Sequence, residues 1–243
     1  MSNRLEKVKD LAKQAGRIAL QMRPGIHPSL KSDGSFVTEA DMAVEAFLKE
    51  RLAAEFPDYD FLGEEQRDGT SPDPDSDHPV WVVDPIDGTD AYRTGLPHFC
   101  VSVGLFEKGR YVLGVVYLPQ LDEMYAVDEG QKPTFNDEEI CVTPETKLDG
   151  NSFLISSSNF HRKYSTTFPG KIRSLGSSAY HMCLVARGSA VGAIFTAYIW
   201  DIAAGVALVE AAGGRIGFSD GSQIDWRQHL NPQLLPQGLV VSP

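Results

Sequence analysis

Apolar side chains recur at helical spacing in two blocks near the start of the chain. The first block predicts an amphipathic helix that ends at Pro24-Gly25. The second predicts a helix that Thr38 caps, in which Asp41 returns the capping bond, and that stops at Pro57. The apolar positions are Leu5, Val8, Leu11, Ala12, Ala15, Ile18, Ala19 and Met22, then Val44, Phe47, Leu48, Leu52 and Phe56.

From Trp81 onward the apolar positions form short runs of the kind that favours strands. The turn at Lys108-Gly109 separates the two longest runs and predicts an antiparallel hairpin. Farther along, strand-like and helix-like runs alternate, and Gly213-Gly214 closes the last helix. The runs are WVVD, FCVSVGLF, YVLGVVYL, MYAV, SFLISSS, SSAYHMCLVARG, AVGAIF and WDIAAGVALVEAAGG. This pattern predicts an α+β fold of layered helices and sheets with a largely antiparallel N-terminal sheet.

Composition narrows the class of protein. The chain has 243 residues, of which 42% are hydrophobic, enough for one large domain or two small lobes and too many for a disordered chain. With 22 Lys and Arg against 33 Asp and Glu, the net charge is −11. Nucleic acid and membrane are therefore not expected as partners. Cations could still bridge the carboxylates to an anionic small molecule.

The cysteines and the first residues bear on location. Cys100, Cys141 and Cys183 lie far apart and form no C-x-x-C pair, which is typical of core or chance thiols in a reducing compartment. Charge interrupts the apolar residues of the opening segment, unlike those of a signal peptide, and no run is long enough to span a bilayer. We expect a soluble, cytoplasmic protein.

Two aspartates stand three residues apart in VVDPIDGTD, Val82 to Asp90. Carboxylates just beyond a strand end can be aimed into a cleft. Gly88 lets the backbone approach a ligand, and the amides of Gly88 and Thr89 could receive phosphate oxygens. An ordinary Asp-capped turn explains the same residues, so the stretch alone leaves both interpretations open.

The spacing of the two acids bears on mechanism. Phosphatases of the haloacid-dehalogenase type use D-x-D-G-T, in which the first Asp is a covalent nucleophile. Here Pro85 and Ile86 separate Asp84 from Asp87, so the gap is one residue longer. This spacing disfavours a phosphoenzyme and favours two carboxylates that share a cation.

Further acids stand at element boundaries. Glu64 and Glu65 follow an apolar pair and a glycine, and Asp201 lies at the mouth of the last helix. Taken singly, each is better explained as a solvated turn or a helix N-terminal acid. Together with Asp84 and Asp87 they form a set of oxygen ligands without Cys or His, which suits Mg²⁺.

The stretch DPDSD, Asp73 to Asp77, resembles the start of a calcium loop. His78 stands where the sharp turn of such a loop needs glycine, so a solvated surface loop is the better interpretation. A calcium-stabilised structural protein is an alternative that rests on this stretch alone.

Four motifs, in order, resemble the inositol monophosphatase family of lithium-sensitive, magnesium-dependent phosphatases. They are TEAD at Thr38 to Asp41, GEE at Gly63 to Glu65, DPIDGT at Asp84 to Thr89, and WDIAAG at Trp200 to Gly205. A fifth, RSLGSSAYHMCLVARG, resembles the segment that lines the family's substrate pocket. The resemblance covers nearly the whole chain. It implies a layered α/β/α/β/α sandwich of the sugar-phosphatase type, usually dimeric, and we expect sub-lobes at 1–142 (metal-site α+β lobe) and 143–243 (α/β lobe).

The resemblance also implies roles for particular residues. Thr89, paired with Asp41, would orient the attacking water, with help from Glu64. The metal ligands would be Glu64, Asp84, the carbonyl of Ile86, Asp87 and Asp201, and the substrate contacts would be Asp87, Gly88, Thr89, Gly176, Ser177 and Ser178. Two or three Mg²⁺ ions per site are expected on this basis.

These observations predict a Mg²⁺-dependent phosphatase that hydrolyses a small phosphorylated polyol or sugar, such as inositol monophosphate, by direct attack of water. Inositol-specific members of the family carry an acid in the strand before WD, whereas Gly192 to Ile199 contains none. Fructose bisphosphate, a nucleotide 3′-phosphate and histidinol phosphate are therefore alternative substrates. A non-catalytic metal-binding regulator is an alternative of another class, although it would need neither Thr89 nor Asp41.

Several basic residues near these motifs have simple structural explanations. His98 and His181 are expected to pack rather than to act on substrate. The run His161 to Lys163 could meet a second phosphate but is expected to be solvated. Lys31, in the segment before TEAD, could approach the active site.

Overall fold

The structure is a computed structural model that describes residues 3–31, 34, 36–65, 72–73, 76–143, 147–231, 233–236 and 238–243. Its helices are α1 (Asn3–Met22), α2 (Glu39–Glu55), α3 (Thr89–Arg93), α4 (Phe160–Lys163), α5 (Ser178–Ala186) and α6 (Ile199–Ala211), with a 3₁₀ helix at Trp226–His229. Its strands are β1 (Ser29–Leu30), β2 (Phe36–Val37), β3 (Asp60–Gly63), β4 (Val80–Asp87), β5 (Cys100–Glu107), β6 (Arg110–Leu118), β7 (Glu123–Val127), β8 (Thr134–Phe135), β9 (Glu138–Glu139), β10 (Phe153–Ser156), β11 (Lys171–Arg173), β12 (Gly192–Phe195), β13 (Arg215–Phe218) and β14 (Leu239–Ser242).

The larger sheet follows the chain, in the order β3-β4-β5-β6-β7-β8-β9. Only the β3–β4 pair in it is parallel, so the predicted antiparallel character is confirmed. The predicted β5–β6 hairpin is also present. Its turn residues Lys108 and Gly109 both have positive φ, 50° and 87°, as the tight turns of twisted hairpins require.

The second sheet has the order β11-β10-β12-β14-β13. β10 pairs in parallel with both β11 and β12, while β14 is antiparallel to β12 and β13. This order could not be predicted from the chain, because β10 lies between two strands that follow it in sequence.

Two helical layers cover the larger sheet. α1 and α2 pack together and against β4, β5 and β6 on one face, and their buried apolar residues form one cluster with that face. α5 and α6 pack together; α6 contacts β4, β5 and β6 of the larger sheet and β13 of the second, and a second apolar cluster joins them. The predicted α+β fold of layered helices and sheets is therefore confirmed. The division into sub-lobes at residue 142 stays a prediction, although the two sheets lie on either side of it.

None of the helices in the described part of the chain combines the length and apolar character needed to cross a membrane.

Candidate active site

The site is built around an irregularity in β4. Asp84 pairs with Ser102 of β5 and Asp87 pairs with Cys100, so β4 has one more residue between the two pairs than its neighbour. Side chains three residues apart on a regular strand point to opposite faces of the sheet. The extra residue forms a β-bulge, which turns the Asp87 side chain toward the face that carries Asp84. The strand therefore continues to Asp87. The sequence had suggested that it ends at Asp84. The bulge is formed by Pro85 and Ile86, which separate the two acids.

The start of α2 supplies a second acid. The carboxylate of the fully buried Asp41 accepts hydrogen bonds from the backbone N–H of Thr38 at 2.8 Å and from its hydroxyl at 2.5 Å, so the predicted return bond to the cap is present. The other oxygen of Asp41 lies 3.2 Å from Thr89 Oγ1, which is also 3.1 Å from the carbonyl of Ile86. The sequence-predicted pair of Thr89 and Asp41 is thus in contact across a separation of 48 residues.

Asp87 joins β4 to the start of α5. Its carboxylate accepts bonds from the Ser177 hydroxyl at 2.6 Å, the Ala179 N–H at 2.6 Å and the Ser178 N–H at 3.2 Å. A carboxylate at a helix N-terminus satisfies donors that have no partner within the helix. Ser177 is fully buried and its hydroxyl also accepts from Tyr180 N–H, so its side chain braces Asp87 and presents no surface to a ligand.

Glu64, Asp84 and Asp201 form the carboxylate cluster, since each places an oxygen within 4.8 Å of the other two. β3 ends just before Glu64, β4 carries Asp84, and Asp201 lies in the first turn of α6, where it accepts from Tyr198 N–H at 2.8 Å. Two neighbouring strands and a helix from much later in the chain therefore converge on one point. Such an arrangement could hold a metal ion.

Lys31 and Glu65 flank the cluster. The ammonium of Lys31 lies 2.7 Å from Glu64 Oε1 and 2.5 Å from Glu65 Oε1. The predicted approach of Lys31 to the site is confirmed. Burial disfavours its charged form, but the two carboxylates outweigh this and raise its pKa.

The carboxyls of this region titrate abnormally. Burial raises the pKa of Asp84 well above its ordinary value, and the neighbouring acids raise it further. Asp201 shifts in the same direction for the same reasons. Burial raises the pKa of Asp87 to about 6 against the opposing effect of its hydrogen bonds, and burial and Glu64 raise that of Glu65 to about 7. Without a further cation nearby, the neutral, protonated forms of these carboxyls are therefore favoured.

The donor set fits a divalent metal of the Mg²⁺ kind. The clustered ligand atoms are carboxylate oxygens, which hard cations prefer. The carbonyl of Ile86 faces the same turn as Thr89. Sequence reasoning had named Glu64, Asp84 and Asp201, and the fold brings these three together.

The substrate-side residues lie beside the Asp87 turn. Gly88 has a φ of 93°, in the left-handed region, and a Cβ there would lie 3.1 Å from the carbonyl oxygens of both Gly176 and His98. Gly176 is exposed and Ser178 half-buried. The glycine at position 88 thus permits the close approach of the segment before α5 that the resemblance assigned to substrate.

The histidines pack as expected. The ring of His98 stacks on Tyr180 with centroids 6.0 Å apart. His181 is buried, its Nε2 accepts from Leu175 N–H at 3.0 Å, and burial lowers its pKa to about 3. Of the possible calcium loop, Pro74 and Asp75 lie outside the described residues, and Asp77 pairs with Arg227 at 2.8 Å.

One supporting residue was missed. The fully buried carboxylate of Glu45 accepts from Glu65 N–H at 2.8 Å, and a Cβ at Gly63 would lie 2.4 Å from Glu45 Oε2. Glu45 therefore holds the GEE turn, and Gly63 is required for its approach. The signal in the sequence was an acid one helical turn after Asp41, beside the apolar stripe of α2.

Comparison with known proteins places this layered α+β chain among phosphoric monoester hydrolases. The model of the inositol monophosphatase family matches residues 2–241. The chain belongs to that family.

Individual relatives are similar over most of their length. An inositol-1-monophosphatase of Mesorhizobium japonicum is 36% identical over 212 residues, covering 80% of this chain and 76% of the relative. The Nus factor SuhB of Pasteurella multocida is 32% identical over 237 residues, covering 90% and 86%. The structure of an inositol monophosphatase of Thermotoga maritima superposes with a TM-score of 0.84 at 27% identity, covering 99% of this chain and 92% of that one.

Proposed function

We propose that this protein hydrolyses a small phosphomonoester with the help of Mg²⁺, by direct attack of water and without a phosphoenzyme. The observation that carries the proposal is the convergence of Glu64, Asp84 and Asp201 oxygens within 4.8 Å, beside the contact between Thr89 and Asp41. Family membership supports the reaction class.

The ligands proposed for the metal ions are Glu64, Asp84, the carbonyl of Ile86, Asp87 and Asp201. When bound, Mg²⁺ would polarise the phosphate, lower the pKa of a water and stabilise the leaving alkoxide. Asp87 is the most constrained of the five, because three donors of the α5 start fix its orientation.

Thr89 and Asp41 are suited to receive the proton of the attacking water. Burial raises the pKa of Asp41, which makes its carboxylate a stronger base than a solvated aspartate. The Thr89 hydroxyl can donate to Asp41 and accept from water with its remaining lone pairs. The pair is thus proposed to form a short proton relay beside the carboxylate cluster, and Glu64 would assist from the metal side.

The phosphate would lie against the turn after β4. The amides of Gly88 and Thr89 are proposed to hold its oxygens, and the exposed Gly176 and half-buried Ser178 to face the organic part. Ser177 would act indirectly, through Asp87.

The substrate is proposed to be a small phosphorylated polyol or sugar, as the names of the inositol monophosphatase relatives suggest. The strand β12 and the residues up to α6 contain no acid, so inositol selectivity through that strand is not supported. Fructose bisphosphate, nucleotide 3′-phosphates and histidinol phosphate stay alternatives.

A regulatory role is a second candidate, because one relative is a Nus factor. The retained contact between Thr89 and Asp41 favours the enzyme, since metal binding alone would require neither side chain. An enzyme should lose turnover when Thr89 is replaced, whereas a regulator should keep its function.

Asp84→Asn is the direct test of the proposed chemistry. Loss of a central ligand should lower Mg²⁺-dependent phosphate release by roughly two orders of magnitude or more. The metal-free variant should melt no lower than the wild type, because one of several repelling buried carboxyls has been neutralised. Phosphate release and thermal melting measure the two effects.

Asp90→Asn is the matched control, since the Asp90 carboxylate is exposed and pairs with Arg93 and with none of the clustered acids. Its activity should stay within about twofold of the wild type. Substantial Mg²⁺-dependent turnover by a folded Asp84→Asn variant would refute the assignment.

A further inference from the structure

The distribution of charge along the chain is uneven. Although the protein has 33 acidic residues, the stretch from Gly150 to Trp200 contains none. The same stretch holds five Lys and Arg residues, at Arg162, Lys163, Lys171, Arg173 and Arg187. A protein with a net charge of −11 therefore carries a basic segment that begins near β10 and leads into the candidate active site.

A cavity lies in this segment. Its volume is about 430 Å³, and its lining includes Ser156, Ser157, Ser158, His161, Arg173 and Ser174, with no carboxylate among the lining residues. The hydroxyls of Ser158 and Ser174 lie 2.9 Å apart across it. The described residues include no acid paired with Arg173, whose guanidinium bonds to the carbonyl of Ile172. The cavity thus offers hydroxyl donors and two groups that can carry positive charge.

The cavity lies at the carboxyl ends of two neighbouring parallel strands, β10 and β11. From β10 the chain passes to β11 on one side, and from β11 it passes back beyond β10 to β12 on the other. The crevice expected from such a reversal lies between β10 and β12, and the cavity lies on the β11 side of β10. The lining residues come from the ends of β10 and β11 and from α4.

The cavity adjoins the candidate active site through a short piece of chain. Ser174 lines the cavity, and three residues later the Ser177 hydroxyl bonds to Asp87 at 2.6 Å. Three residues span at most about 11 Å. Ser174 of the cavity lining therefore lies close enough to Ser177, the partner of Asp87, for a small bisphosphate to span the separation.

We propose that this cavity is a subsite for a second anionic group of the substrate, and that the preferred substrate carries two phosphates. Arg173 and His161 would contact the second phosphate, with the serine hydroxyls as further donors. Charge-assisted bonds of this kind are the strong ones in anion recognition. The proposal rests on the proposed phosphatase function and names its substrate class.

The test compares paired substrates that differ by the second phosphate. For the wild type, kcat/KM for fructose 1,6-bisphosphate should exceed that for fructose 1-phosphate by roughly tenfold or more. Adenosine 3′,5′-bisphosphate and adenosine 3′-monophosphate form a second pair. Arg173→Gln should remove most of the difference by slowing only the bisphosphates.

Arg162→Gln is the matched control, because Arg162 is an exposed base of the same segment that does not line the cavity. It should leave both members of each pair unchanged within about twofold. Equal wild-type kcat/KM for both members of each pair, hydrolysis of inositol 1-phosphate alone, or an equal effect of Arg173→Gln on both members would overturn the subsite.

Failure of the phosphatase function gives a different result, namely no Mg²⁺-dependent phosphate release from any of these esters or from inositol 1-phosphate. In that case, calorimetric binding of fructose 1,6-bisphosphate to the wild type and to Arg173→Gln still decides the subsite. Weaker binding by the variant supports it, and equal binding overturns it.

Discussion

Lys31 places its ammonium between the carboxylates of Glu64, a proposed metal ligand, and Glu65. Lys31→Met should destabilise the metal-free protein by on the order of 1–3 kcal/mol, because two largely buried acids lose a charged partner. The rise in melting temperature on adding Mg²⁺ should be larger than in the wild type, since no ammonium then shares Glu64. Thermal melting with and without Mg²⁺ measures both effects.

Lys7→Met is the comparison for this change. Lys7 pairs with Glu55 on the surface, where both side chains are about two-fifths exposed, and exposed pairs contribute little. Equal melting behaviour of the two variants would contradict the role assigned to Lys31.

The raised pKa values of Asp87 (about 6) and Glu65 (about 7) predict a pH-dependent response to metal. A carboxyl whose pKa is raised by folding retains its proton to higher pH. A metal ion would bind the deprotonated form of Asp87, a proposed ligand, and its charge would favour the deprotonated form of the neighbouring Glu65. Mg²⁺ should therefore raise the melting temperature more at pH 8 than at pH 6, and its binding should release protons.

Calorimetry in buffers of different ionisation enthalpy would measure the released protons. The titration of His181 does not enter this comparison, because its lowered pKa affects the melting temperature with and without Mg²⁺ alike. A metal response that is the same at both pH values would show that these carboxyls are already ionised.

At the scale of elements, α6 lies directly on a pair of glycines in the larger sheet. Gly104 and Gly114 are register partners on β5 and β6, and a Cβ at Gly114 would lie 2.3 Å from the carbonyl oxygen of Ala204. Because α6 also carries Asp201, the distance between this helix and the sheet helps to determine the position of Asp201 relative to Asp84.

Gly114→Ala should push α6 outward and cost about 1–3 kcal/mol of unfolding free energy, with a loss of activity. Urea denaturation measures the first, and phosphate release the second. Gly150→Ala should change neither, since a Cβ at Gly150 meets nothing within 4 Å. Unchanged stability and activity of Gly114→Ala would contradict this prediction and show that α6 can move away from the sheet at little cost.

At the scale of the whole molecule, the two sheets share the α5/α6 layer. One apolar cluster includes Val82 and Val116 of the larger sheet, Ala193 and Val241 of the second, and much of α6. Independent lobes are therefore not expected, even though the chain divides between the sheets near residue 142.

Unfolding should be a single cooperative transition. Far-ultraviolet circular dichroism and tryptophan fluorescence should give the same urea midpoint, because Trp81 lies in the larger sheet and Trp200 at the start of α6. Separate midpoints would instead establish two units that fold independently. The expected homodimer stays a prediction at this scale.

Local pattern determined much of this protein. The helical spacing of α1 and α2, the turn at Lys108-Gly109 and the closure of α6 depend on residues near one another in the chain, and the structure agrees with each. The acids of the site were also visible as a set, because oxygen ligands at element boundaries form a pattern that the sequence displays directly.

Only the tertiary structure decided how those residues meet. The bulge that turns Asp87 toward Asp84 depends on pairing with β5, and the bonds from Ser177 and the α5 amides to Asp87 cross about 90 residues. Glu45 supports Glu65 only because Gly63 admits its carboxylate. The cavity beside Ser174 follows from the strand order of the second sheet. These features arise from contacts between segments that are distant in the sequence. The period of the hydrophobic residues indicates which face of a helix or strand is buried, but not which other element packs against that face.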